Sequence, residues 1–343
     1  MRKLASIQRI LDISPIEGAD RIEVCRVLGW QCVIGKNDFK VGDLIIFLEV
    51  DSVTSQTETF KLLKDSGYRV KTRRFKKQVS QGLCLPLSIL EGLCLCKELP
   101  LEGDDVTELL GITKYDPYVP AQLAGLAKGN FPEFLHKTDE TRIQAVPAVL
   151  YRHQNKKFYV TEKVDGSSMT VYFRRNEHFA DGEFGVCSRN IDMKEEGGTS
   201  FWKVARELDL ENKLRSLNRN IALQGELLGP GVQGNKYKLE KLGYYIFNVF
   251  DIDSGLHLDF EQFIKMVDYL DLTHVPVVNA EYILPNTVDG LVEFSKGKSL
   301  LNKDSHREGV VFRPHVNEYD EDLHGRLSFK CINPDFLLKY DSE

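Results

Sequence analysis

Read for the alternation of apolar and polar positions, the chain divides into two stretches of different character, separated by a polar passage broken by prolines. Over residues 1–110 the apolar positions come in short runs. Ile22-Glu23-Val24-Cys25-Arg26-Val27 alternates, and Gln31–Gly35 follows a Gly-Trp pair. Leu44-Ile45-Ile46-Phe47-Leu48 follows the turn-like Val41-Gly42-Asp43, and Gln81–Pro86 ends on a proline. Short apolar runs bounded by Gly, Asp and Pro read as strands, and a succession of them predicts a small β-barrel. Residues 111–150 hold Pro117, Pro120, Pro132 and Pro147 and read as a linker with at most short helices; Thr138–Gln144 is the place where one could start, capped by Thr138 or Asp139. From 151 to 343 strands are expected at 158–163, 168–175, 184–188, 221–227, 243–252 and 307–313. Helices are expected at 198–210 and 260–271, the second with Phe260, Phe263, Ile264, Val267 and Leu270 at helical spacing. Strands that are not separated by regular helices predict an α+β domain of largely antiparallel sheets.

Composition narrows the classes. A chain of 343 residues, 42% hydrophobic and 28% charged, suits two globular domains. The net charge of −6 excludes a bulk polycation, so any nucleic-acid contact must come from local basic patches. The densest is Lys71–Lys77, in which Arg73, Arg74, Lys76 and Lys77 flank Phe75; it could track a phosphate backbone, and it reads equally well as a solvated hairpin loop. No run of about 18 apolar residues predicts a membrane span, and the N-terminus lacks the apolar core of a secretory signal. Seven scattered cysteines point to reduced thiols in a cytoplasmic or other reducing compartment. Cys84, Cys94 and Cys96 cluster, but without the spacing of a structural zinc site.

Two phosphate-binding look-alikes fail on context. Gly229-Pro230-Gly231-Val232-Gln233-Gly234 fits GxGxxG, yet the residues that follow have weak helical periodicity, and a dinucleotide site needs a helix there. Gly297-Lys298-Ser299 imitates the end of a P-loop, but position 292 is Val. The eight histidines are dispersed, with no metal-ligand partner at i+4.

The stretch Phe158–Phe173 is different. It reads strand, tight turn, strand, with Lys163 where the first strand meets the turn Asp165-Gly166-Ser167-Ser168. A lysine projected from a rigid support into a cleft, desolvated or set beside other cations, has a depressed pKa and a nucleophilic amine. Further along come Ser188-Arg189, Glu226 near the end of a strand, the aromatic strand Tyr244–Asp251, Glu308-Gly309, and Lys330 in a short apolar strand. Each of these alone is ordinary: a carboxylate at a strand edge is usually solvated and a lone lysine usually snorkels.

In this order and spacing, the segments resemble the covalent nucleotidyltransferase superfamily of polynucleotide ligases and RNA capping enzymes. Lys163-Val164-Asp165-Gly166 matches its KxDG motif, and the others match the motifs that follow, over residues 150–335. Gly225–Tyr237 is similar to RNA ligases of the RNA ligase 2 type. Gly18–Val24, with Val41-Gly42-Asp43 downstream, resembles the OB-fold tRNA-binding modules of some synthetases. An OB module placed before the transferase domain resembles one branch of ATP-dependent RNA ligases. The resemblance implies an OB-type barrel over 1–110, a linker over 111–150, and an ATP-grasp-like ligase domain over 151–343. The implied substrates are ATP, with Mg2+ or Mn2+, and RNA with 3′-hydroxyl and 5′-phosphate ends, as in a nicked duplex, acted on by a monomer. Lys163 is implied as the nucleophile that becomes lysyl-AMP. Lys330 would lie near the α-phosphate and, with the metal, lower the pKa of Lys163. Glu308 would hold metal and Glu226 metal or ribose. Arg189 would contact ribose or the RNA terminus, Phe247 would stack on adenine with Tyr245 and Phe250 as register alternatives, and Glu162 would lie beside the base. Two departures stand out. The lysine-x-lysine ending common in these ligases is Lys330-Cys331-Ile332 here, so either Lys339 replaces the missing cation or that cation is dispensable. About a dozen residues follow Lys330, where DNA ligases and capping enzymes carry a further OB domain. The expectation is therefore an RNA ligase, with a DNA ligase or GTP-using capping enzyme as the alternative within the same chemistry, and a non-catalytic RNA-binding protein as the alternative outside it.

Overall fold

The computed structural model describes residues 3–91, 101–115, 125–176 and 179–340. The barrel sheet is ordered Trp30–Gly35, Ile22–Val27, Ala5–Pro15, Leu44–Leu48, Leu83–Leu85. The long strand Ala5–Pro15 serves two partners. Residues 5–9 pair with 44–48 and residues 10–15 with 23–27, with a register shift between Ile10 and Asp12. Such a bulge bends a strand and lets a sheet curl. The curl brings the ends together: Gln81 N–H donates to the Gln31 carbonyl at 2.8 Å and Val33 N–H to Ser80 Oγ at 2.9 Å. The unbroken apolar run Leu44–Leu48 follows from burial on both faces. Ile45 and Phe47 pack inside the barrel with Trp30, while Ile46 and Leu48 pack under the 3-10 helix Glu58–Ser66 through Phe60 and Leu63. Burying each of those two side chains contributes on the order of 1.5–3 kcal/mol. Cys84 lies in the barrel core with its sulfur 3.6 Å from that of Cys25; Cys94 and Cys96 lie outside the described residues.

The second region is two facing sheets. The larger runs Ala127–Asn130, Ile191–Met193, Phe179–Cys187, Ser167–Asn176, Ile221–Leu228, Gly243–Asp251, Leu256–His257, with Thr273–His274 beside Gly243–Asp251. Its outer face is covered by helices, with Trp202, Leu214, Phe263 and Val267 packed on Val171, Phe173, Leu223 and Ile246. The smaller runs Thr141–Arg142, Phe329–Ile332, Gly309–Pro314, Lys157–Lys163, Val277–Ile283. One of its faces buries Phe158, Val160, Val310, Phe312 and Phe329 against Leu291 of the helix Val288–Ser295. Among the described residues no helix is long and apolar enough to cross a membrane.

Three expectations are corrected. The helix expected at 198–210 is two helices, Ser200–Glu207 and Leu210–Ser216, because Asp209 takes a left-handed conformation (φ 52°) between them. Thr138–Gln144 starts no α-helix: Thr141–Arg142 pairs in parallel with Phe329–Lys330, and a 3-10 turn follows at Ile143–Ala145. The linker expected at 111–150 is stitched into the sheets in its described residues. Thr113–Lys114 pairs with Ser52–Val53, and Ala127–Asn130 with Ile191–Met193. Pairing with distant strands supplied the backbone partners that local periodicity could not reveal; Pro117 and Pro120 lie outside the described residues.

Candidate active site

The site lies in a cavity of about 1100 Å³ between the inner faces of the two sheets, with the barrel as a further wall. On Lys157–Lys163, Phe158 and Val160 go to the core, so the alternation of the strand turns Thr161 and Lys163 to the cavity. The turn that follows is closed by Gly166, where a Cβ would collide with the carbonyl oxygen of Leu227. Asp165 N–H donates to Tyr237 Oη at 2.7 Å, which fixes the turn from the opposite loop.

Strand pairing assembles the rest. Lys163 is opposite Gly309, which brings in Glu308; Val311 is opposite Lys330; Ser168 is opposite Glu226. Lys163 Nζ donates to both oxygens of Glu308, at 2.7 and 2.8 Å. Arg189 donates to Asp139 at 2.9 and 3.0 Å, and Lys114 to the same carboxylate at 3.2 Å. Burial would raise the Asp139 carboxyl, but Arg189 and Lys114 hold it at about 2. Phe247 lines the cavity; Phe250 packs with Tyr172 and Ala222, and Tyr245 packs with Val164 and Tyr237 in a cluster that Phe247 also joins. Glu162 also lines the cavity. One of its oxygens accepts from Leu300 N–H at 2.7 Å, and the other is buried without a hydrogen-bond partner.

Around Lys163 the protein's own charges act in opposite directions. Burial pulls the Lys163 amine down, but Glu308, then Glu226 and Asp165, hold it above its ordinary value, so in this state it is a protonated ammonium. Lys330 is the depressed lysine: burial first, then the charges of Lys163 and Arg142, bring it to about 7. Carboxylates surround Lys163 and cations face Lys330, and this difference sets the opposite signs. Glu226 is driven up to about 8 by burial, helped by Glu308 and Asp165 and opposed by Lys163. A carboxyl that high has a definite consequence for stability. Between pH 4.5 and about 8 the unfolded chain releases the Glu226 proton that the folded chain keeps, so its contribution falls as pH rises through that window. Glu226→Gln is therefore expected to melt higher than the native protein near pH 8 and nearly level with it near pH 4.5, while losing activity. A melting difference independent of pH would contradict the assignment.

Crowded carboxylates only partly offset by Lys163 suit a further cation. Among the described residues no group of His, Cys, Asp and Glu forms a ready-made metal cage. A magnesium-like ion, which keeps much of its water, would be held here by Glu308 and Glu226, directly or through water.

Other charged side chains of the cavity escaped the sequence reading. Arg142, register partner of Lys330, faces the cavity from a two-residue strand too short to show a period. Lys236, inside the quoted Gly225–Tyr237 segment, pairs with Asp165 and lies 5.5 Å from the Tyr340 ring. Lys339, one of the two alternatives for the lysine missing at 332, is exposed over Tyr340 and does not line the cavity, whereas Lys236 does. The basic run is apart from the cavity. Arg73, Arg74, Lys76 and Lys77 are exposed on the hairpin Arg73–Phe75/Gln78–Ser80. Arg74 pairs with Asp335 at 2.9 Å, and Lys77 lies 3.9 Å from Glu17.

Comparison with known proteins agrees with this architecture. The RNA ligase family profile matches residues 156–332, and an OB-fold domain profile matches residues 4–87. No curated protein sequence matches the chain. Among solved structures, Naegleria gruberi RNA ligase with pyrophosphate is 37% identical, covers 100% of both chains and superposes with a TM-score of 0.86. A mutant of that ligase with ATP and Mn is 37% identical, with 99% of this chain and 100% of the other covered and a TM-score of 0.86. Another with AMP and Mn is 37% identical over 100% of both chains, again with a TM-score of 0.86.

Proposed function

The chain belongs to the RNA ligase family, as an ATP-dependent RNA ligase, and from that premise we propose that it seals RNA 3′-hydroxyl and 5′-phosphate ends through a lysyl-AMP and an adenylylated RNA 5′ end. The observation that carries this reading is the convergence of Lys163, Glu226, Glu308 and Lys330 on one cavity. In the first step the Lys163 Nζ lone pair attacks the α-phosphorus of ATP; an N–P bond forms, a P–O bond breaks and pyrophosphate leaves. Lys163 must first lose a proton, and Glu308, 2.7 Å away, is placed to accept it. Lys330 and Arg142 stabilise charge on the phosphates, a role that fixed cations perform best in a desolvated site. Phe247 stacks on adenine, and Glu162 lies beside it. A divalent ion at Glu308 and Glu226 would offset the negative field that keeps Lys163 protonated. AMP then passes to an RNA 5′-phosphate, near which Arg189 sits, and a 3′-hydroxyl attacks to release AMP. The exposed Arg73, Arg74, Lys76 and Lys77 serve the RNA backbone outside the cavity. The protein acts as a monomer on nicked duplex RNA in a reducing compartment, in keeping with the buried, unbridged Cys25, Cys32, Cys84, Cys187 and Cys331.

The test is a pair of assays. Incubation with α-labelled ATP or GTP should give an acid-labile, alkali-stable protein adduct from ATP alone; an adduct from GTP would favour capping chemistry, and none at all a binding protein. Nicked duplexes with RNA or DNA on the 3′-hydroxyl side should then seal faster with RNA; equal sealing of all-DNA nicks would remove the RNA assignment.

A further inference from the structure

Asp51 is one of the barrel-side residues that line the nucleotide cavity. Asp51 follows the barrel strand Leu44–Leu48 in a left-handed turn (φ 75°). Its Oδ1 accepts from Arg69 at 2.6 Å and its Oδ2 from Arg142 at 3.1 Å. Arg69 is itself braced, its guanidinium 3.9 Å from the centre of the Tyr115 ring. Arg142 is only 7% exposed and lies 5.9 Å from the ring of Trp30 in the barrel core. Two residues on, Gly29 N–H donates to the Gln144 carbonyl at 2.9 Å, and a Cβ at Gly29 would come within 2.9 Å of the Gln144 backbone. The barrel thus grips the segment 142–144 by side chain and by backbone.

The grip bears on the chemistry because of where Arg142 stands. It is the register partner of Lys330, and Lys330 is the residue whose charge is already disfavoured by burial, Lys163 and Arg142. Like charges that converge before a phosphate arrives repel one another, and an exposed arginine would swing away. A carboxylate fixed behind Arg142 offsets that repulsion and holds the guanidinium in place, at the strength of a charge-assisted hydrogen bond. We propose that Asp51 is a positioning residue for the first step: through Arg142 the barrel completes the cationic wall that receives the nucleotide phosphates. This inference rests on the reading that Lys163 takes AMP from ATP.

Asp51→Asn keeps the shape and removes the charge. Single-turnover formation of the protein adduct from ATP is expected to slow by about tenfold or more, the usual scale for a lost charge-assisted contact. Sealing of a nicked RNA that already carries AMP on its 5′-phosphate bypasses ATP and is expected to stay within about twofold. In a double-mutant cycle, Asp51→Asn/Arg142→Ala should form adduct no more slowly than Arg142→Ala alone, because the proposed role of Asp51 runs through that arginine and not through Arg69. Equal loss of both activities, or additive losses in the cycle, would overturn the proposal in favour of a purely structural role. So would an unchanged adduct rate. Should Asp51→Asn fail to fold, Asp51→Glu carries the same test: the charge is kept, the reach is altered, and a smaller loss confined to the adduct step is expected. Native protein that forms no adduct with ATP would instead refute the functional reading itself, whatever Asp51 does.

Discussion

Lys163→Ala is expected to form no covalent adduct with ATP and to seal nicks at least about ten-thousandfold more slowly than the native chain, because no second amine can take over the attack. Of the other lysines of the cavity, Lys236 pairs with Asp165 and Lys114 with Asp139, rather than with Glu308. Lys330 has the lower pKa, at about 7, yet it stands on a neighbouring strand among the cations of the site. Lys163→Arg should be equally inactive, since a guanidinium keeps its proton and offers no lone pair. Both variants should still join RNA whose 5′-phosphate already carries AMP, because that step needs no lysine nucleophile. Adduct formation by Lys163→Ala, read by gel with α-labelled ATP, would move the chemistry to another residue.

Glu308→Gln should slow adduct formation about a hundredfold to a thousandfold, within the range ascribed to a positioned acid–base group. The sign of this effect discriminates between two roles. Glu308 is the largest of the influences that raise the Lys163 pKa, so its removal lets burial and the facing cations pull that pKa down. If Glu308 did no more than tether a charged lysine, Glu308→Gln would hold more neutral amine at pH 7 and react faster. If it accepts the proton and helps hold a divalent ion, the variant is slower although its lysine titrates lower. The pH profile separates the two contributions. The native rate should rise from neutral to alkaline pH as Lys163 loses its proton, and the rise should begin at lower pH in Glu308→Gln with a reduced plateau. A faster variant at pH 7 would exclude the proton-accepting role.

The parts of the site written as local patterns were readable in advance. The hairpin around Lys163 announces itself through period-two alternation on either side of Asp-Gly, and the strands that carry Glu226, Phe247, Glu308 and Lys330 do so through short apolar runs. Of Phe247, Tyr245 and Phe250, Phe247 is the one among the cavity's lining residues. Arg142 was misread because a two-residue strand has no period, and its partner Phe329–Lys330 lies nearly two hundred residues away. The break at Asp209 was missed because apolar spacing continues across it while the backbone does not.

By itself, then, the sequence determined which side chains could carry the chemistry and on which kind of element each would stand, because alternation and turn residues act over a few neighbours. The tertiary structure alone decided how those groups influence one another. Lys163 and Glu308 are 145 residues apart in the chain and 2.7 Å apart in space, and that proximity leaves Lys163 charged at rest and Lys330 the depressed lysine. Likewise Asp51 and Arg142, 91 residues apart, meet only when the barrel docks on the sheets. Charge–charge energies and burial depend on distance through space, and a linear pattern does not encode that distance.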